Sequence, residues 1–479
     1  MGLGKTVQTL AMIQDEREEL AAWSLSQHAE TREPTGNQTR EPTGNQTREP
    51  TGRRTGPWIV VAPTSVVSNW AAEARKFTPG LRVAIVESTR KRRAQSLEEL
   101  SHDVDILITS YTLLRLESEE YADLHPVGLV LDEAQQAKNP TSKTFTSIMR
   151  IGAPTVFAIT GTPMENNLGE LWAVFALTAP GLLGSAKQFA QGTRRPIERG
   201  EDKEGAIMAL LRRRIAPFLL RRTKAEVAAD LPEKQEQILE VELAPAHRRA
   251  YDRHLQRERQ RVLHLAEDMD HNRVQVLSAL TRLRQLAIDP ALVDEDSAAP
   301  SSKLDALIEL LDEVVEEGHR TLVFSQFTRY LHIIADRLEH EGVKYSYLDG
   351  STTNRRKVIN DFAEGENPVF LISLKAGGVG LNLTMADYVV LTDPWWNPAV
   401  EEQAVDRTHR IGQTRSVHVY RMVSQDTIEE KVLALQDSKR QLVADVLASD
   451  TSNESMGGTP NLSVGGGKLS AEDLRMLLA

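Results

Sequence analysis

Short apolar runs separated by helix-length segments dictate what this chain can fold into. Five precede residue 161: Trp58–Ala62, Val83–Val86, Asp105–Thr109, Gly128–Leu131 and Val156–Thr160. Five more follow residue 320: Thr321–Ser325, Tyr345–Leu348, Val369–Ser373, Tyr388–Leu391 and Val417–Arg421. Runs this short, apolar nearly throughout, read as strands covered on both faces of a parallel sheet. Two such sets predict an α/β protein with two parallel-sheet lobes. The text from Pro232 to about Pro290 reads as predominantly helical. Asp294–Ser302 and Asp450–Gly467 are rich in Gly, Ser and Asp, marking a linker and a tail.

The chain opens Met1-Gly2-Leu3-Gly4-Lys5-Thr6, the second half of G-x-x-x-x-G-K-[ST]. The missing first glycine would precede Met1, so the front of a longer protein is expected to be absent. Glycines let backbone N–H groups close around phosphates, Lys5 supplies a compact charge, and Thr6 a hydroxyl for magnesium. A plain Gly-containing turn before a helix is the alternative. Asp132 and Glu133 end an apolar strand, where metal-assisted phosphoryl transfer needs carboxylates: Asp132 for magnesium, Glu133 to orient and deprotonate water. A solvated acidic turn is the alternative there. Arg407 and Arg410 are three apart, on one face if the segment is helical. They read as arginine fingers from another domain or as an ordinary charged helix face.

Taken in order with Ala62-Pro63-Thr64-Ser65, Asn69-Trp70, Ile108–Tyr111, Thr160–Asn166, Pro217–Lys224, Val323–Phe327, Leu348–Thr352, Ser373–Leu383, Asp393–Pro398 and Gln403–Gln413, these blocks resemble the Swi/Snf family of superfamily-two, helicase-like DNA-translocating ATPases, of bacterial type. The resemblance implies two RecA-like P-loop lobes with helical insertions and a C-terminal brace helix. It implies a first lobe at 1–235, with a disordered insertion at 25–56 and a helical one at 180–230. A helical protrusion and linker at 236–300, a second lobe at 301–448 and a tail with a short terminal helix at 449–479 follow. ATP and magnesium are the implied cofactors. Gly2, Gly4, Lys5, Thr6, Asp132 and Glu133 face ATP from one lobe, and Gly380, Gln403, Arg407 and Arg410 from the other. Thr64, Ser65, Thr109, Ser110, Ser325, Gln326, Ser351, Thr352 and Lys375 follow strands and suit phosphate contacts, although single Ser and Thr residues there serve equally as helix caps. Thr160, Gly161 and Thr162 couple the nucleotide and strand sites. The implied partner is DNA, duplex and read without regard to sequence, with a DNA-bound protein such as RNA polymerase as a further candidate. At Arg284–Pro290 the Cys and His that the family often carries are absent, which argues for packing rather than metal binding.

The 479 residues carry a net charge of −11 and no cysteine, so neither a generic basic nucleic-acid binder nor a disulfide framework is expected. Grip on phosphates would have to be local. Arg212–Arg214, Arg221-Arg222 and the Arg-rich stretch Arg248–Arg261 are the candidate places, or else solvated faces. A tandem octad, Thr31–Gln38 and Thr39–Gln46, has no apolar residue and reads as a disordered loop. Thr427-Ile428-Glu429-Glu430 is a capping box heading an apolar stripe of Ile428, Val432, Leu435, Leu442 and Val446. No apolar stretch approaches the ~20 residues of a membrane span, so a cytoplasmic, nucleoid-associated place is expected. The alternatives are a non-catalytic fragment that binds nucleic acid or protein, and an RNA-unwinding ATPase.

Overall fold

All ten apolar runs form strands in the computed structural model. It describes residues 4–30, 56–162, 164–165, 167–222, 224–228, 230–265, 269–295, 297, 299–377 and 383–447. The octad, the tail beyond 447 and its expected terminal helix lie outside the described residues. The chain divides into two compact units. The first is Gly4–Pro163 with Ala173–Leu182, and the second is Met164–Trp172 with the residues from Leu183 onward.

In the first unit, β1 (Trp58–Ala62), β2 (Val83–Ile85), β3 (Ile106–Ser110), β4 (Gly128–Asp132) and β5 (Val156–Ile159) make one parallel sheet in the order β2-β3-β1-β4-β5. Central β1 is buried along its whole length, which explains its unbroken apolar text. Trp58 pairs across to Gly128, where a Cβ would sit 2.2 Å from the indole ring. Its Nε1 donates to Glu16 at 2.7 Å, fixing the helix Lys5–Glu30, whose Leu10 and Ile13 are fully buried in the core with Trp58 and Trp70.

In the second unit, β6 (Lys234–Val241), β7 (Thr321–Ser325), β8 (Tyr345–Leu348), β9 (Val369–Ser373), β10 (Tyr388–Leu391) and β11 (Val417–Ser424) form a parallel sheet ordered β6-β11-β10-β7-β9-β8. Successive residues alternate between two cores. Val323, Val369, Leu371 and Val390 enter one, and Leu322, Phe324, Phe370, Ile372 and Val389 the other. The stretch expected to be helical after Pro232 therefore opens on a strand, and the helices Pro245–Leu265 and Met269–Ile288 follow. The brace helix runs Ile428–Leu447, with Ile428, Val432, Leu435 and Val446 buried and Leu442 half-buried. Its cap is a variant of the expected box: the Thr427 hydroxyl accepts from Glu429 N, while Glu430 accepts from Asp426 N. Lys303 and Glu429, both fully buried, pair at 2.5 Å, and Lys303 also donates to the carbonyls of Thr392 and Met422. This ties the brace helix to the ends of β10 and β11. Among the described residues no helix is long and apolar enough to cross a membrane.

Candidate active site

Parallel pairing brings the C-terminal ends of the strands to one edge of each sheet, the usual place for ligands in open α/β folds. In the first unit, Ala62 is level with Ser110, and Asp132 with Ile159. The loop residues Thr64 and Ser65, the acids at 132–133 and residues 160–162 thus share that edge.

Gly4 lies at φ +67, the left-handed region that favours glycine, and its carbonyl accepts from Gln8 N at 3.0 Å to start the helix. Lys5 and Thr6 are half-buried in the first turn, whose N–H groups have no helical partner and attract anions. Asp132 is held by three contacts. Trp70 Nε1 donates to Oδ2 at 2.8 Å, Glu133 N donates to Oδ1 at 3.0 Å, and Tyr111 donates its hydroxyl to the Asp132 carbonyl at 2.8 Å. Burial raises the Asp132 pKa, against the lowering pull of Trp70, Lys5 and the Glu133 amide. Each carboxylate oxygen keeps a further lone pair, so the group fits a hard cation bound with substrate phosphates, together with the Thr6 hydroxyl.

Glu133 sits at φ 50, ψ 54, a left-handed backbone that costs about 1–3 kcal/mol in a non-glycine residue. The bend turns its side chain out of the strand direction. Gln135 Nε2 donates to Glu133 Oε2 at 2.7 Å, the Thr160 hydroxyl donates to Gln135 Oε1 at 2.8 Å, and Thr162 N donates to the Thr160 hydroxyl at 2.9 Å. Glu133 and the Thr160–Thr162 segment are therefore joined by an unbroken hydrogen-bonded relay. Sequence reasoning gave roles to its two ends but none to Gln135, and missed Trp70 as the residue that orients Asp132.

In the second unit, the condition for a shared helix face is not met, because Arg407 and Arg410 are not on a helix. The helix Pro398–Val405 ends before them, and residues 406–410 form turns. The turns are fixed from a distance. Lys224 Nζ donates to Asp406 at 2.6 Å and to the His409 carbonyl, His409 Nε2 bonds the Pro232 carbonyl, and Leu383 N donates to the Arg407 carbonyl. Arg407 is 3% exposed, Arg410 and Gln403 are half-buried, and Gly2 and Gly380 lie outside the described residues.

The strand-end residues differ in availability. Thr64, Ser65, Ser351 and Lys375 are exposed, and Gln326 and Thr352 half-buried. Thr109 is fully buried and its hydroxyl pairs with Tyr121 at 2.6 Å. Ser110 caps the helix Tyr111–Leu116, and the enclosed Ser325 hydroxyl donates to Asp393 at 2.6 Å. Arg284, 2% exposed, donates to Gln326 Oε1 and to the Pro394 carbonyl and packs against Phe327, Trp395 and Trp396. Its segment packs, as the absent Cys and His suggest. Asn397 Nδ2 donates to Glu165 at 2.9 Å, fixing the residue three positions after Thr162.

Residues 1–292 match the SNF2-related domain. The chain belongs to the SNF2-related family. Residues 302–412 also match the helicase conserved C-terminal domain. An uncharacterised ATP-dependent helicase of Mycoplasma pneumoniae is 35% identical over 397 residues, covering 82% of this chain and 37% of that protein. The ISWI chromatin-remodeling complex ATPase ISW1 of Saccharomyces cerevisiae is 32% identical over 404 residues, 81% of this chain and 36% of that one. The Sulfolobus solfataricus SWI2/SNF2 ATPase core, solved in complex with dsDNA, covers 93% of this chain and 87% of its own at 31% identity and a TM-score of 0.41. The chain spans about two fifths of the length of the curated relatives it matches.

One consequence for this SNF2-related chain concerns pH. Trp70→Phe removes the indole donor, worth about 1.5–3 kcal/mol to a charged acceptor, so the Asp132 pKa rises further. The acid limb of the kcat–pH profile is expected to move to higher pH, with the alkaline plateau kept. A profile unchanged from wild type would separate Trp70 from the ionisation that governs turnover.

Proposed function

We propose that this chain hydrolyses ATP to drive movement along duplex DNA, remodelling protein–DNA contacts. The observation that carries the reading is the relay from Glu133 through Gln135 to Thr160 and Thr162. It links a carboxylate suited to activating water with a segment suited to sensing a bound strand. Gly2, Gly4, Lys5 and Thr6 hold the phosphates. Asp132 and Thr6 hold magnesium, which when bound neutralises charge on the transferring phosphoryl group. Arg407 and Arg410 stabilise the γ-phosphate, with Gly380 and Gln403 assisting.

Exposed Thr64, Ser65, Ser351 and Lys375, with Gln326 and Thr352, contact the DNA backbone. Thr109, Ser110 and Ser325 shape the loops that carry them. Backbone contacts position without reading bases, so binding is sequence-independent and weakens with salt. A DNA-bound protein such as RNA polymerase is the proposed obstacle displaced. The test is ATP hydrolysis by the purified chain with and without duplex DNA and with duplex RNA. A rise with DNA above that with RNA is expected. Equal rates in all three would overturn the DNA-motor reading.

A further inference from the structure

The helix Pro245–Leu265 has one face in the protein and one in solvent. His247, Tyr251 and Glu258 are turned inward and buried, and the Tyr251 hydroxyl accepts from Ile428 N, at the start of the brace helix, at 2.8 Å. Arg248 is tied down as well, donating to the carbonyls of Gln425 and Asp426. The opposite face carries Arg249, Arg253 and Arg257, all exposed, at a regular spacing of four residues. None of the three is joined to an acid among the described residues. Asp252 is the one acid beside them on the exposed face, whose other members are Gln256 and Gln260. Glu258 points inward and faces Arg282 at 3.7 Å.

Such a row does not serve the helix. Like charges four apart destabilise an isolated helix by about 0.2–0.5 kcal/mol per pair. It also runs against the character of a chain whose net charge is −11. A rise of 1.5 Å per residue puts successive guanidinium stems about 6 Å apart along the helix, comparable to the step between neighbouring phosphates on a strand. Each planar guanidinium offers paired N–H donors that match a phosphate. An acidic protein partner would more naturally meet apolar anchors within the row, and among the described side chains between Arg249 and Gln260 the exposed face has none.

We infer that Arg249, Arg253 and Arg257 form a second contact for the sugar–phosphate backbone of duplex DNA, separate from the strand-end residues of the two sheets. The inference rests on the DNA-binding reading above. It makes the helical pair that follows β6 a grip on DNA rather than a spacer.

The test uses the full chain with all three arginines changed to glutamine, and a second variant with all three changed to lysine. Affinity for a duplex DNA is measured across a salt series. Each lost phosphate contact flattens the dependence of log K on log salt by about 0.9, so the glutamine variant is expected to flatten it by about 2–3. The lysine variant should keep the slope. ATP hydrolysis without DNA and Tm should match wild type in both. A wild-type slope in the glutamine variant, with wild-type DNA binding intact, overturns this inference alone. Loss of binding to polyglutamate with the DNA slope intact overturns it in favour of an acidic protein partner. A wild-type chain that binds no duplex at all overturns the DNA reading itself.

Discussion

Glu133→Gln is expected to lower kcat for ATP by about a thousandfold while leaving ATP affinity close to wild type. A positioned general base contributes about 10²–10⁴ to rate, and glutamine cannot take the proton. It does preserve the volume, and its carbonyl oxygen still accepts from Gln135, so the relay to Thr160 and Thr162 stays intact. The left-handed backbone at 133 is held by its surroundings rather than by the charge, because Asp132 accepts from the Glu133 amide in either case. Nucleotide binding and turnover should therefore separate cleanly. Single-turnover hydrolysis with a parallel measurement of ATP binding checks this. A loss of less than tenfold would remove Glu133 as the base.

Arg410→Ala is expected to cost about a thousandfold in kcat, the lower end of what an arginine finger contributes. Arg410 is the better probe of the pair because it is half-exposed, whereas Arg407 is 3% exposed and its removal would also leave a void. The turn carrying Arg410 is anchored by its neighbours as well: Lys224 on Asp406 and the His409 carbonyl, and Gln413 on the carbonyls of Ala386 and Thr408. Tm should therefore hold while turnover falls. A near-normal rate with an unchanged Tm would exclude Arg410 from the reacting phosphate.

Legibility in the sequence followed burial and locality. Apolar text announces a strand in this sheet type, and all ten runs became strands, although β2, β5 and β8 are only partly buried. β6 was not, because Lys-Gln-Glu-Gln-Ile-Leu-Glu-Val is a mostly exposed edge strand whose place is set by backbone pairing with β11. Asp132 and Glu133 were readable because the chemistry demands acids at a strand end. Trp70, Gln135, Lys224 and Arg284 stood in or beside the named blocks, but their contacts were not readable, since each acts through a partner far away or on a separate element. Whether Arg407 and Arg410 share a helix face could not be read for the same reason. Spacing of three suggests a helical face, but the backbone there answers to Lys224 and Pro232, more than 170 residues earlier. The hydroxyls of Thr109 and Ser325 show the limit of residue type alone: one is paired inside the first unit and the other capped by Asp393 in the second.

Displacement of the third strand from a DNA triplex separates a translocating motor from an enzyme that merely hydrolyses ATP beside DNA. With ATP and magnesium, the wild-type chain is expected to release the third strand without melting the underlying duplex, and Glu133→Gln is expected to release none. Release by neither protein, under conditions where the wild type hydrolyses ATP in response to duplex DNA, would contradict the account.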